Sequence, residues 1–311
     1  MTTPARTVFL GSGGFAVPIV EALAGHPTVE LVTVVTAPTR PGSRGRPTDP
    51  PVAGWAASYG LPMLRPARLR DPEAVTSLAA LEPELLVLAD YGQIVPQQVL
   101  DLPRNGALNL HPSLLPRHRG ASPIPAAILA GDLATGVSLM LMDAGLDTGP
   151  VVAQAQRPLT GDETAPELEL DLARLAATLL TDRLDAFLAG TAWPTPQDES
   201  GATLTRPLRR ADGRLDPSKT AAELERQVRA YQPWPGTFFE TPEGRVIVWR
   251  ASAIPGSADP GALVPTASGN PALGTTDGLL EMVEVQPAGG RRMSGAELVR
   301  GRKGPIGSVI K

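Results

Sequence analysis

Thr7-Val8-Phe9-Leu10-Gly11-Ser12-Gly13-Gly14-Phe15-Ala16 carries the first sign of the fold class. A short apolar run ends in three glycines and a serine, and an apolar pattern of helical spacing follows from Val17 to Leu23. A strand that turns tightly into a helix is the opening unit of a parallel α/β sheet. Outward from it, further buried-strand runs recur at Glu30–Val35 (ELVTVV), Leu85–Ala89 (LLVLA), Ala107–His111 (ALNLH) and Val137–Met142 (VSLMLM), with helical stretches between several of them. This alternation predicts a Rossmann-like, mostly parallel sheet with helices on both faces.

Two stretches break the rhythm. Pro38–Pro51 (PTRPGSRGRPTDPP) carries five prolines and three arginines and no hydrophobic period, so it reads as a long exposed loop. The polar, Thr- and Pro-rich residues 190–206 follow the helical run Leu168–Leu188 and read as a linker. The expected division is therefore a domain over 1–189, a linker over 190–206 and a second domain over 207–311. Beyond the linker, Ala221–Ala230 reads as a helix. Thr237–Glu240, Arg245–Ala253, Ala262–Pro265 and Leu279–Gln286 read as short strands, the pattern of a small β-barrel.

At 311 residues the chain has room for two domains, and 42% hydrophobic with 19% charged residues is the composition of a globular protein. The absence of cysteine excludes disulfides, thiolate metal sites and a cysteine nucleophile. No run approaches the ~18 apolar residues of a membrane span, and no secretion-signal pattern opens the sequence; the expectation is a cytoplasmic protein. The net charge of −4 hides an asymmetry: residues 1–200 carry −8 and residues 201–311 carry +4. The two halves are expected to do different jobs, and the basic one suits an anionic partner.

Gly11 to Ala16 fits the G-x-G-x-x-G/A pattern of dinucleotide sites. Such a site places an acidic residue at the end of the second strand, whereas Val35-Thr36-Ala37-Pro38 carries none. The glycines therefore read as a tight turn, with nicotinamide redox chemistry as the rival class.

The residues suited to chemistry lie further on. In the run Gly106–Gly120 (GALNLHPSLLPRHRG), Asn109 and His111 are two apart on a strand and project together. Pro112 stops the strand, leaving two polar groups at a carboxyl end, where open α/β sheets bind ligands. Asp147 sits in a glycine-rich loop after the next strand. An amide donor and an imidazole suit a developing oxyanion, and a carboxylate suits orienting the imidazole and moving a proton. No protein nucleophile is needed if the substrate is an amine, so the trio suits direct acyl transfer. A structural role for each residue taken singly is the competing reading.

Asn109-x-His111-Pro112-Ser113-Leu114-Leu115-Pro116, followed by Leu146-Asp147-Thr148-Gly149-Pro150, resembles the signature of the 10-formyltetrahydrofolate-dependent formyltransferases. The resemblance implies Asn109, His111 and Asp147 as catalytic residues. It implies a folate pocket lined by Ser113, Leu114, Leu115 and Pro116, by Tyr91, Gly92, Gln93, Ile94 and Val95, and by the loop from Asp143 to Asp147. The co-substrate would be 10-formyltetrahydrofolate, with no metal. Four further segments are similar to the branch of that family acting on methionyl-tRNA: Phe9–Ala16, Arg40–Arg46, Leu115–Ile124 and Ala230–Gly236 (AYQPWPG). Ser12, Gly13 and Arg46 depart from that branch's usual residues. The branch implies an initiator methionyl-tRNA partner, an OB-like C-terminal barrel that holds it, Arg40, Arg44 and Arg46 as contacts, and a monomer. Phosphate pairing by arginine is the physical basis. The alternatives are a sugar-nucleotide or other small amine as acceptor, and a non-catalytic folate- or RNA-binding protein.

Overall fold

The computed structural model describes residues 3–41, 47–242 and 244–301. Its elements run β1 (Ala5–Gly11), α1 (Ala16–Ala24), β2 (Val29–Val35), β3 (Arg40–Pro41), β4 (Pro47–Thr48), α2 (Pro51–Ser58), β5 (Met63–Leu64), α3 (Pro72–Ala79), β6 (Leu85–Ala89), α4 (Gln97–Leu100), β7 (Ala107–His111), β8 (Arg119–Gly120), α5 (Pro123–Ala130), β9 (Ala134–Leu141), β10 (Val151–Pro158), α6 (Ala165–Leu188) and β11 (Leu204–Thr205). There follow α7 (Ala221–Ala230), β12 (Thr237–Thr241), β13 (Gly244–Ile254), β14 (Leu263–Pro265), β15 (Pro271–Gly274), β16 (Leu279–Pro287), β17 (Met293–Ser294) and α8 (Gly295–Arg300). They fall into two compact units: Met1–Pro123 with Ala134–Pro158 and Glu169–Thr205, and Ile124–Leu133 with Leu159–Leu168 and Arg206–Lys311.

The first unit is built on a seven-stranded sheet of order β10-β9-β7-β6-β1-β2-β5. β1 pairs in parallel with both β2 and β6, β2 with β5, and β6 with β7. Val8 and Leu10 point to one side of β1 and Phe9 to the other, and all three are fully buried. A strand apolar on both faces requires cover on both, which is why these strands read as continuous hydrophobic runs. One core joins Val8, Leu10, Val35, Leu86 and Leu88 to Leu69, Leu78 and Val99.

β9 and β10 close the sheet as an antiparallel hairpin, β9 against β7 and β10 against β9. This direction has a consequence for the site. Ser138 lies opposite His111 and Leu141 opposite Leu108, so β9 ends beside the start of β7 rather than beside its carboxyl end. The loop that follows β9 must return along the sheet to reach His111.

The expected long loop between Pro38 and Pro51 is closed at its base by the β3–β4 pair, Arg40 opposite Thr48. Residues 190–206 also carry structure: Thr195 bridges Val151, and β11 pairs in parallel with β8, Leu204 opposite Arg119.

In the second unit α7 starts at a capping box in which Thr220 Oγ1 accepts from Glu223 N–H and Glu223 accepts from Thr220 N–H. Leu224 and Val228 on α7 enter a core with Leu215, Phe239, Val248, Leu273, Leu280 and Met282. The sheet has order β12-β13-β16-β15-β14, all antiparallel, with β17 on β16. The eleven-residue β13 is irregular against β16 at Val248/Arg250 and Arg250/Ala251, and such bulges bend and twist a strand. Among the described residues no pairing joins β12 to β14. Among the described residues the sheet therefore does not close on itself, and the small OB-like barrel expected is borne out only as an antiparallel sheet. No described helix is long and apolar enough to cross a membrane.

Candidate active site

β7 supplies the first two candidate residues. Leu108 and Leu110 are buried on one side of the strand, which turns Asn109 and His111 to the other. His111 is only 5% exposed. Its Nε2 lies 3.0 Å from the His118 carbonyl oxygen, to which it donates, so the ring proton sits on Nε2. Its Nδ1 lies 3.6 Å from Asp147 Oδ2, within ionic reach but longer than a hydrogen bond. Asp147 Oδ2 in turn accepts from the Gly120 N–H at 2.7 Å.

Burial pushes the His111 imidazole below its usual value; the Asp147 charge and the His118 carbonyl pull it up, but less strongly. Near neutral pH the ring is therefore uncharged and its Nδ1 lone pair faces the carboxylate. The unfolded chain takes up this proton at higher pH, so the contribution of His111 to stability is complete above about pH 6.5 and declines as pH falls below that. A proton delivered to Nδ1 would meet the Asp147 carboxylate directly.

Asn109 is half-buried, and its side chain has no hydrogen-bond partner among the described residues. An amide in this position retains two donors and an acceptor for a ligand.

The Asp147 loop is shaped by small residues and its own polar groups. Asp143 Oδ1 accepts from Gly145 N–H at 2.9 Å and Thr148 Oγ1 at 2.7 Å, so this oxygen is engaged within the loop. Asp147 adopts a left-handed backbone (φ 53°). A Cβ on Gly149 would stand 1.9 Å from the Leu141 carbonyl oxygen, which restricts the position to glycine.

The other expected pocket residues divide. Ser113 is fully buried and its hydroxyl donates to Arg117 O at 2.6 Å; Leu115 is buried, its N–H donating to Ser138 Oγ. These two build the loop, while Leu114 and Pro116 are half-buried. Tyr91 is buried in the core, and its hydroxyl has no hydrogen-bond partner among the described residues. Gln93 is tied to Leu69 N–H and the Pro66 carbonyl, Val95 is half-buried, and Gly92 is exposed. Ile94 is 91% exposed. Arg40 is exposed on β3, whereas Arg44 and Arg46 lie outside the described residues.

Sequence reasoning missed two groups. Arg119 is 3% exposed, and its guanidinium pairs with both carboxylate oxygens of Glu199 and with Gln197 Oε1. Gln197 Nε2 donates to the carbonyls of Asp147 and Gly149. Nothing in the periodicity of residues 190–206 marks these as site residues. The second group is Asp90 and Glu169. A Cβ on Gly13 would fall 1.6 Å from Asp90 Oδ2, and one on Gly14 would lie 3.3 Å from Glu169 Oε1. Glu169 accepts from the Phe15 N–H. Burial, aided by the Glu169 charge, raises Asp90 to about 6, and burial raises Glu169 as well. The helix start at which a dinucleotide phosphate would sit is filled by the chain's own carboxyls.

Two family models match the chain, Formyl transferase over residues 5–184 and Formyl transferase, C-terminal domain, over residues 207–303. The chain is 45% identical over 302 residues to "Methionyl-tRNA formyltransferase" of Chloroflexus aurantiacus, covering 95% of this chain and 96% of that one. Among solved structures, an N-formyltransferase from Helicobacter canadensis with folinic acid and dTDP-3-aminofucose matches with TM-score 0.67 at 16% identity, over 89% of this chain and 98% of that one. HypX from Aquifex aeolicus, in complex with tetrahydrofolic acid, matches with TM-score 0.64 at 16% identity. That match covers 96% of this chain and 47% of HypX, so the chain spans about half of that protein.

Proposed function

We propose a reaction for this chain, which belongs to the formyl transferase family, the two models matching residues 5–184 and 207–303. It transfers the formyl group of 10-formyltetrahydrofolate to the α-amino group of methionyl-initiator tRNA, supplying formylmethionyl-tRNA for translation initiation. The observation that carries this choice of acceptor is the 45% identity, over nearly the whole of both chains, to a relative named for it. A sugar N-formyltransferase shares the fold at only 14% identity.

The residues fit a folate co-substrate that carries the formyl group. The unpartnered Asn109 amide supplies donors for the formyl oxygen, and the bare apolar surface of Ile94 supplies contact area. In the transfer, the neutral α-amine attacks the formyl carbon, and the bond from that carbon to N10 breaks. Asn109 holds the oxygen on which charge develops. The proton released by the attacking amine passes by way of the His111–Asp147 pair to N10 of the departing folate. Asp147, 3.6 Å from Nδ1, stabilises the imidazolium during that passage.

We assign catalysis to residues 1–189 and tRNA binding to residues 207–311, joined by 190–206. The open antiparallel sheet is read as a variant of the OB-like fold, and Arg40, Arg44 and Arg46 as phosphate contacts. The site of action is the cytoplasm.

The test offers the protein 10-formyltetrahydrofolate with either charged initiator tRNA or a dTDP-amino sugar. Formylation of the tRNA alone is expected; formylation of the sugar alone rejects the reading. Arg44→Ala should weaken tRNA use and flatten its salt dependence by about one unit of slope, leaving folate affinity unchanged. Unaltered tRNA kinetics would remove the loop from the interface.

A further inference from the structure

We propose that Gln197 is a positioning residue for the transfer: its amide holds the Asp147–Gly149 turn and thereby sets the Asp147 carboxylate against the His111 imidazole. This rests on the reading of Asn109, His111 and Asp147 as the catalytic residues.

Every hydrogen-bonding valence of the Gln197 amide is used. Nε2 donates to Asp147 O at 2.8 Å and to Gly149 O at 2.7 Å, straddling Thr148. Oε1 accepts from Arg119 Nε at 3.0 Å and Nη2 at 2.8 Å. A flipped amide would set its oxygen against two carbonyls and its NH2 against a guanidinium, so the orientation is determined by the partners. The anchor on the far side is itself held in place. Arg119 is buried, takes a two-pronged contact with Glu199, and belongs to the strand pair β8–β11.

The turn that the amide holds is demanding: Asp147 has a left-handed backbone, which costs a residue with a Cβ free energy, and the amide adds to the hold of Asp143 and of the Gly120 N–H on this loop. The loop has also had to return along the sheet from the end of β9, far from the register position of His111. The same connecting segment serves the imidazole side. Thr203 Oγ1 accepts from His118 N–H at 2.8 Å, and His118 O is the acceptor for His111 Nε2. Residues 197–203 therefore tie down both partners of the His–Asp pair, whose separation of 3.6 Å is sensitive to small shifts.

Two variants test this. Gln197→Met removes both hydrogen-bonding faces at similar volume. Gln197→Glu keeps the acceptor for Arg119 and removes the donor to Asp147 and Gly149. Misplacement by about 1 Å costs up to ~10²-fold in rate, so kcat should fall on the order of 10- to 100-fold in both, with KM for folate and tRNA nearly unchanged. The chain holds only three histidines, so an NMR titration resolves His111. In Gln197→Met it should titrate lower than in the parent, because the raising influence of Asp147 weakens. A purely structural glutamine would lower the melting temperature and leave both the His111 titration and kcat in place. Wild-type kcat in Gln197→Glu, or an unmoved His111 titration in folded Gln197→Met, overturns the proposal. Should Asp147→Asn turn over at the wild-type rate, the catalytic reading fails instead, and the His111 titration still reports whether Gln197 holds the pair.

Discussion

Two glycine-rich turns leave strands of the same sheet, and the chain has finished them in opposite ways. At the β1–α1 turn the space over Gly13 and Gly14 is taken by side-chain tips, those of Asp90 and Glu169. Both are acids, and each is pushed towards its neutral form. At the β9–β10 turn Gly149 presses on backbone, the Leu141 carbonyl, and the charge set there is mixed: an imidazole pushed down, a carboxylate beside it, and an amide without a partner among the described residues. Glycine spacing alone does not separate the two. The difference is what fills the space: the first turn is plugged by the protein, and beside the second Asn109 is half-buried with no hydrogen-bond partner among the described residues.

Substitutions at the second turn should cost the most. His111→Ala and Asp147→Asn should each lose ~10²–10³ in kcat, about 3–4 kcal/mol of transition-state stabilisation, while folate binding, followed by fluorescence quenching, is retained. Near-normal turnover in either variant would make the second turn as inert as the first. Next, Gly149→Ala forces a Cβ into a backbone oxygen that has nowhere to go, and overpacking of this kind costs roughly 1–3 kcal/mol in denaturant unfolding together with a loss of rate.

The first turn should respond through pH. Asp90 has a folded value of about 6 against 3.8 for the free side chain. The folded state therefore holds its proton more tightly, and the stability this provides is present below about pH 4 and lost as pH rises through 6. Two pKa units in a sealed site correspond to roughly 3 kcal/mol. Asp90 is hemmed in by protein yet keeps more than a third of its surface open to solvent, which screens the effect to about 1 kcal/mol. Asp90→Asn should accordingly melt higher than the parent at pH 7.5 and level with it at pH 4; equal melting at both would show that the carboxyl is fully solvated. The smallest effect is expected for Gly13→Ala. Its Cβ meets only the tip of Asp90, which can rotate away, so thermal unfolding should move by less than about 1 kcal/mol. A loss as large as that of Gly149→Ala would erase the contrast between the turns.

Much of this was legible in advance. The runs from Thr7 to Leu10 and from Leu85 to Ala89 announced buried strands because both of their faces are apolar, and Asn109 and His111 announced a polar strand end because side chains alternate along a strand. The direction of β9 was not legible. Val137–Met142 reads alike in either orientation, and the pairing partner decides it. Nor was Gln197, which sits among threonines and prolines in a stretch without period and acquires its role only through partners about 50 and 78 residues away in the chain.

Which runs are buried, where the chain turns, and that an amide, an imidazole and a carboxylate lie near strand ends can all be read residue by residue, because periodicity and side-chain chemistry act locally. That Asp147 returns to His111, that Gln197 and Arg119 hydrogen-bond around its turn, and that Asp90 and Glu169 fill the space over the first turn emerges from the folded chain alone. Each of these depends on distances between residues remote in the chain, and those are set by how the strands pair rather than by any single stretch.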